Sequence, residues 1–201
     1  MRLDYHPIAS LAADQLDGAS VLIVEKNAVV SGSRQNLEIQ AFIRAGGRAL
    51  VMEQAVSIFP GLPLAERPLQ KNFIRGYGHP VFNGLREQDL AFWGEAPYPL
   101  LAGDAYVTER MFRKNDATHV AFLTDGDEGG FGNGGLAYAG LVEAAEGTGI
   151  IVACQLRLTD RIADIPAAER LFVNLLKYVR TYQKSVTEPP LVVPGDAAHR
   201  R

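Results

Sequence analysis

Two short apolar runs set the strongest constraint on this chain: Val21 to Val24, ending at Glu25, and Arg48 to Met52. Between them Ser31 to Ser33 forms a polar break, and Leu37, Ile39, Phe42 and Ile43 then recur at helical spacing until the Gly46-Gly47 pair stops the pattern. Strand, helix, strand in so few residues is a βαβ unit. Apolar runs without alternation belong to strands covered on both faces, which are parallel strands. The expected fold is therefore α/β, a doubly wound and mostly parallel sheet. A further helix is expected over residues 8 to 16, with Gly18 as its stop.

The remaining chain fits around that unit. Residues 58 to 100 hold six of the 11 prolines (Pro60, Pro63, Pro68, Pro80, Pro97 and Pro99), a density that forbids long regular elements. Phe73, Tyr77, Phe82, Leu85, Leu90, Phe92 and Trp93 make the segment too apolar for a linker, so it reads as an ordered excursion packed on the domain. His119 to Thr124 reads as a strand, followed by the glycine-rich DGDEGGFGNGG. Leu136 to Val142 and Ile150 to Leu156 read as a β-hairpin turning at Glu146 to Gly149. Pro166 suits the first turn of a last helix, whose apolar face is Ala168, Leu171, Phe172, Leu175, Leu176 and Val179. One domain over residues 1–184 is expected, then a loosely held tail or linker over 185–201.

Composition narrows the function. Of 201 residues 47% are hydrophobic, enough for a sizeable core, and disorder is excluded as the main description. With 20 basic against 23 acidic residues and no Lys/Arg run, the chain has no electrostatic footprint for nucleic acid. The single cysteine excludes a disulfide framework. No stretch reaches the roughly 18 apolar residues of a membrane span, nor does the N-terminal stretch hold a secretory core. A cytoplasmic setting without membrane attachment is the expectation.

Few residues offer chemistry. Cys154 sits inside the apolar strand IIVACQL, the place of a buried structural thiol and not of an exposed nucleophile. Gly130 to Gly135 matches G-x-G-x-x-G, but a strand-like segment follows it where phosphate binding needs a helix N-terminus. Asp125, Asp127 and Glu128 read as a solvated acidic turn, because Leu136 stands where a calcium loop needs its bidentate Glu. His6, His79, His119 and His199 show no metal-ligand spacing, and Ser31 and Ser33 lack a nucleophile-elbow context. Neither a metal nor a cofactor is expected. Glu25 and Glu53 follow the first two strands, at the edge where open α/β sheets bind ligands. They are candidate ligand-binding carboxylates together with Gln54; the competing role is a Glu that caps a neighbouring helix or faces water.

Four segments carry a resemblance: AFIRAGGRALVMEQ (41 to 54), GHPVFNGLREQDLAFWGE (78 to 95), GGLAYAGLVEAAEGTGIIVACQL (134 to 156) and PAAERLFVNLLKYV (166 to 179). In order and spacing they resemble an accessory domain of bacterial glycoside hydrolases, notably proteins similar to family 2 β-galactosidases. That domain looks like a class I glutamine amidotransferase, with a flavodoxin-like doubly wound sheet related to the trimerisation domain of other β-galactosidases. The resemblance places the amidotransferase nucleophile elbow at Glu53-Gln54, where this chain has no thiol, and so implies a fold that has lost amidotransferase chemistry. Family 2 enzymes carry their catalytic carboxylates on a barrel of ~250 residues, which this chain is too short to include. The usual first strand before residues 8 to 16 is missing or very short, consistent with a piece of a larger protein.

The resulting expectation is a non-catalytic accessory domain serving assembly or active-site framing in a carbohydrate-active enzyme, with no catalytic residue of its own. Its partners would be copies of itself or a catalytic glycosidase domain, with a carbohydrate as the ligand. Phe92 and Trp93 are the interface candidates; the alternative is that the aromatics of residues 72 to 100 cover a sheet edge. A stand-alone hydrolase or small-molecule-binding domain using Glu25 and Glu53 is the other function class.

Overall fold

The computed structural model describes residues 5–8, 16, 21–31, 33–93, 106–114, 120–126 and 137–183. The helix expected over 8 to 16, Tyr98, the acidic pair Asp127 and Glu128, the glycine run 130 to 135, and the 185–201 tail fall wholly or mostly outside the described residues.

The βαβ unit forms as β1 (Leu22–Val24), α1 (Gln35–Arg44) and β2 (Arg48–Val51). β1 and β2 pair in parallel with Ile23 opposite Leu50. Gly46 has a φ of +95°, the left-handed conformation that closes a helix, and its N–H donates to the Ile43 carbonyl at 2.9 Å. The third parallel strand is β10 (Gly149–Cys154), with Val152 opposite Leu50. Gly149 is required there because a Cβ would lie 2.1 Å from the Ile43 carbonyl oxygen, where α1 packs directly on the start of β10.

Beyond these three strands the sheet changes character. β9 (Leu141–Glu146) and β6 (Val120–Phe122) join antiparallel, giving the order β1-β2-β10-β9-β6. A second sheet, β3-β5-β8-β7-β4, is antiparallel throughout; it comprises β3 (Leu64–Leu69), β4 (Asn72–Ile74), β5 (Thr108–Arg113), β7 (Thr124–Gly126) and β8 (Tyr138–Ala139). The doubly wound, mostly parallel, flavodoxin-like sheet expected from the sequence is thus overturned: of the eight strand pairings among the described residues, two are parallel. The physical reason lies in the proline-rich stretch. It does not return through a helix to a parallel strand but lays β3 and β4 at the two edges of the second sheet. Pro68 is tolerated in β3 because an edge strand has one unpaired side, and the β3–β5 register shifts between Glu66 and Leu69.

The two sheets are fused by one bent ribbon. Phe122 lies opposite Val142 in the first sheet and Gly126 opposite Tyr138 in the second, a register that runs unbroken through the bend, where the Leu123 N–H donates to the Leu141 carbonyl at 2.9 Å. At the bend the N–H groups of Gly140 and Leu141 both donate to Thr124 Oγ1 at 3.0 Å. The Thr124 hydroxyl donates in turn to Asn72 Oδ1 at 3.4 Å. Gly140 has no room for a side chain, since a Cβ would stand 2.7 Å from Asn72 Oδ1 and 3.0 Å from Leu156 Cδ1.

Apolar cores cover both faces of the first sheet. On one face α3 (Pro166–Thr181) packs Ala168, Leu171, Leu175 and Val179 against Leu50, Ile150 and Val152. On the other, Ile39 and Ile43 of α1 pack against Ala49, Val51 and Ile151. This is the alternation of a strand buried on both sides. Among the described residues no helix is long and apolar enough to cross a membrane.

Because Thr124 satisfies two backbone donors that the bend removes from the ladder, Thr124→Val should strand both in the core. Urea denaturation should show a loss of about 2–3 kcal/mol, whereas Thr124→Ser, which keeps the oxygen, should lose markedly less; equal losses would show that the hydroxyl is dispensable.

Candidate functional site at the carboxyl edge of the parallel strands

Parallel pairing sends the ends of β1, β2 and β10 to one edge of the sheet. Glu25 and Lys26 follow β1, Glu53 and Gln54 follow β2, and Gln155 follows β10. Arg157 and a short helix, α2 (Leu158–Arg161), come next in the chain. Lys26, Glu53, Gln54, Gln155 and Arg157 line a small polar cleft with Glu109 and Arg110 of β5. Its enclosed space is about 10 Å³, room for one water.

Glu53 is only 6% exposed. Its Oε1 accepts from the Thr159 N–H at 3.3 Å and its Oε2 from the Thr159 hydroxyl at 3.0 Å, so the carboxyl closes the first turn of α2. Burial pushes its pKa above the ordinary glutamate range, against the opposing pull of these hydrogen bonds and of Lys26. Gln54 is a strap between strand ends: its Nε2 donates to the carbonyls of Glu25 at 2.7 Å and Met52 at 2.9 Å, and its Oε1 accepts from the Val29 N–H at 2.9 Å. Glu25 itself is exposed and enters this arrangement through its backbone carbonyl. The two carboxylates singled out in the sequence therefore do not face each other across a cleft. One holds a helix turn, and the other is on the surface.

The cations of the edge are paired. Lys26 Nζ lies 2.6 Å from Asp160 Oδ2, and Arg157 Nε lies 3.3 Å from the same oxygen and 3.4 Å from Glu109 Oε1. The hydrogen bond from Lys26, helped by its charge and by Arg157, holds the Asp160 carboxyl below the usual aspartate range. Lys26, Gln155, Arg157 and Asp160 were not singled out in the sequence. Gln155 had a legible signal, since it follows an apolar strand just as Glu25 does. Glu109 and Arg110 had none, because β5 alternates too weakly to be read as a strand.

Cys154, at the end of β10, is fully buried, and burial followed by the charge of Glu53 pushes its thiol far up. It is no nucleophile at neutral pH. Away from the edge, His79 Nε2 lies 3.3 Å from Glu143 Oε2 and the ring stacks edge-on against Tyr178 at 4.6 Å, which ties the Pro80–Phe82 turn to β9 and α3. Among the described residues no group of three or more His, Cys, Asp or Glu could hold a metal ion.

The interface candidates separate. Trp93 is 1% exposed, lies in the α3 core, and donates its indole N–H to the Asp89 carbonyl at 2.8 Å, so it is removed from the surface. Phe92 is 56% exposed and takes a φ of +55°, a conformation costly for a residue with a side chain. Its N–H donates to the Gln70 carbonyl at 2.7 Å, and Ala91 bridges Lys71, so the backbone on that side is fixed while the ring projects.

No protein-family profile and no curated protein matches the chain. Among solved structures it is similar to the cytoplasmic protein STM3548 from Salmonella typhimurium, at 14% sequence identity and a TM-score of 0.51, over 87% of this chain and 76% of that one. At that identity the likeness concerns the fold.

The raised pKa of Glu53 has a signed consequence. In the folded chain its carboxyl keeps its proton to higher pH than in the unfolded chain, so folding stability is fully present below the ordinary glutamate value and declines as pH rises through the window up to the folded value. Glu53→Gln should remove this decline. Denaturation midpoints followed from pH 4 to 8 should fall more for the native chain than for the variant; parallel profiles would contradict the assignment.

Proposed function

We propose that this chain is a non-catalytic accessory domain of a carbohydrate-active enzyme, serving assembly or the framing of an active site held on another segment. The observation that carries this reading is the use of the strand-edge side chains: the Glu53 carboxyl and all of the Gln54 amide are committed to holding strand ends and the α2 turn. An edge so committed suits a domain that binds and positions. The four segments that resemble the accessory domain of bacterial glycoside hydrolases support this class by their order and spacing alone, since the doubly wound fold that the resemblance implied is not the one found. Phe92 is the anchor we assign to the partner, a second copy or a glycosidase domain, because a projecting aromatic on fixed backbone loses little entropy on docking. The Salmonella protein is described as cytoplasmic, and we propose the same setting here.

A second reading rests on Glu53 alone. A buried carboxyl with a raised pKa can serve as a general acid or base, which would make the chain a hydrolase in its own right. The two readings part experimentally. The purified chain should not turn over nitrophenyl glycosides or glutamine, and sedimentation with or without a glycosidase partner should show an association that Phe92→Ser weakens at least tenfold without lowering thermal stability. Turnover that Glu53→Gln abolishes would establish the second reading. A monomer that binds no partner, unchanged by Phe92→Ser, would remove the first.

A further inference from the structure

We infer that Asn83 is a modification site, a side-chain amide that deamidates when the turn holding it is released from α3. Asn83 is exposed and is followed by Gly84. Asn-Gly is the pair that cyclises most readily, because the attacking backbone nitrogen belongs to a residue with no side chain to obstruct it.

The turn demands that glycine for a separate reason. Asn83 has φ −56° and ψ 119°, Gly84 has φ +75°, and the Leu85 N–H donates to the Phe82 carbonyl at 2.9 Å, which together make a type II turn. A Cβ at Gly84 would be strained by that φ and would stand 3.2 Å from Arg170 Nη1. The labile pair is therefore built into the fold at this place.

The same geometry holds the reaction off. Ring closure needs the Gly84 nitrogen to swing about the Asn83 Cα–C bond until it eclipses Cβ, which for an L residue is a negative ψ. The extended ψ of 119° keeps it well away. Because the carbonyl turns with the nitrogen, that swing breaks the hydrogen bond that Asn174 Nδ2 donates to the Asn83 carbonyl at 2.9 Å. Asn174 Nδ2 also donates to the Val81 carbonyl at 3.0 Å, so a single amide of α3 clamps the turn at two points.

With the clamp open, the Gly84 nitrogen gives its proton to water and attacks Asn83 Cγ; the Cγ–Nδ2 bond breaks and ammonia leaves. Water then opens the cyclic imide at one of its two carbonyls, leaving an aspartate or an isoaspartate at position 83. Isoaspartate inserts a methylene into the backbone and changes the spacing on which the turn's hydrogen bond depends.

Mass spectrometry of the tryptic peptide 76–86, in which Asn83 is the single asparagine, reads the reaction after incubation at mildly alkaline pH. Asn133-Gly134, the other Asn-Gly pair of the sequence, falls in a different tryptic peptide. The full chain unfolded in guanidinium chloride should deamidate at Asn83 at least tenfold faster than the folded chain, since folding makes a local opening the entry to the reaction. Folded Asn174→Leu should react at least threefold faster than the folded native chain; should it fail to fold, judged by circular dichroism, Asn174→Asp removes the donor with less change of shape. Gly84→Ala, measured unfolded, should react at least fivefold more slowly than the unfolded native chain. Equal rates in the folded and unfolded native chain, a folded variant at position 174 no faster than native, or an unfolded Gly84→Ala as fast as native would each overturn the proposal.

Discussion

The arrangement depends on one buried oxygen. Thr124 Oγ1 accepts two backbone N–H groups where the ribbon of β6–β7 and β8–β9 turns out of one sheet and into the other. An antiparallel ladder that bends this sharply must leave donors behind, and donors left dry would make the bend untenable. Gly140 supplies the other half of the solution. Only a residue without a side chain lets Asn72, Thr108 and Leu156 close over the bend. Because β9 pairs with β10 at the same level, with Leu141 opposite Cys154, the bend also fixes where the third parallel strand ends.

That end point determines the chemistry of the edge. Once β1, β2 and β10 stop together, Glu25, Glu53 and Gln155 are brought to one rim, and the chain beyond β10 carries Arg157 and Asp160 across it. The cations there are met by acids, while Glu25 stays exposed and the Glu53 carboxyl is held by hydrogen bonds. Lys26 and Arg157 share Asp160, and Glu53 holds the α2 turn through Thr159. An edge built in this way is rigid and nearly neutral.

The local elements were legible where one physical signal dominated. The Gly46-Gly47 stop, the apolar runs at Val21 and Arg48, and the helical stripe from Ala168 to Val179 each became the element their spacing predicts. What the sequence did not disclose is pairing direction. His119 to Thr124 reads as one apolar strand, and nothing local tells that β6 and β7, which share this stretch, lie in different sheets. The proline-rich segment was legible as ordered and apolar, and Trp93 and Phe82 are indeed in the core, but its strands β3 and β4 are short and gain their order from partners far along the chain. The same holds for the site. Glu53 and Gln54 could be named from strand ends, whereas their partners Thr159, Val29 and Gln155 depend on tertiary placement.

The claim that the bent ribbon makes the two sheets one cooperative unit is tested most directly by native-state hydrogen exchange at the Gly140 and Leu141 amides. Fusion through Thr124 predicts that both exchange only with global unfolding, with the same free energy and denaturant dependence as the Ile151 and Val152 amides of β10. Exchange of Gly140 and Leu141 through a local opening, while β10 stays protected, would contradict it and make the second sheet a separately fluctuating layer.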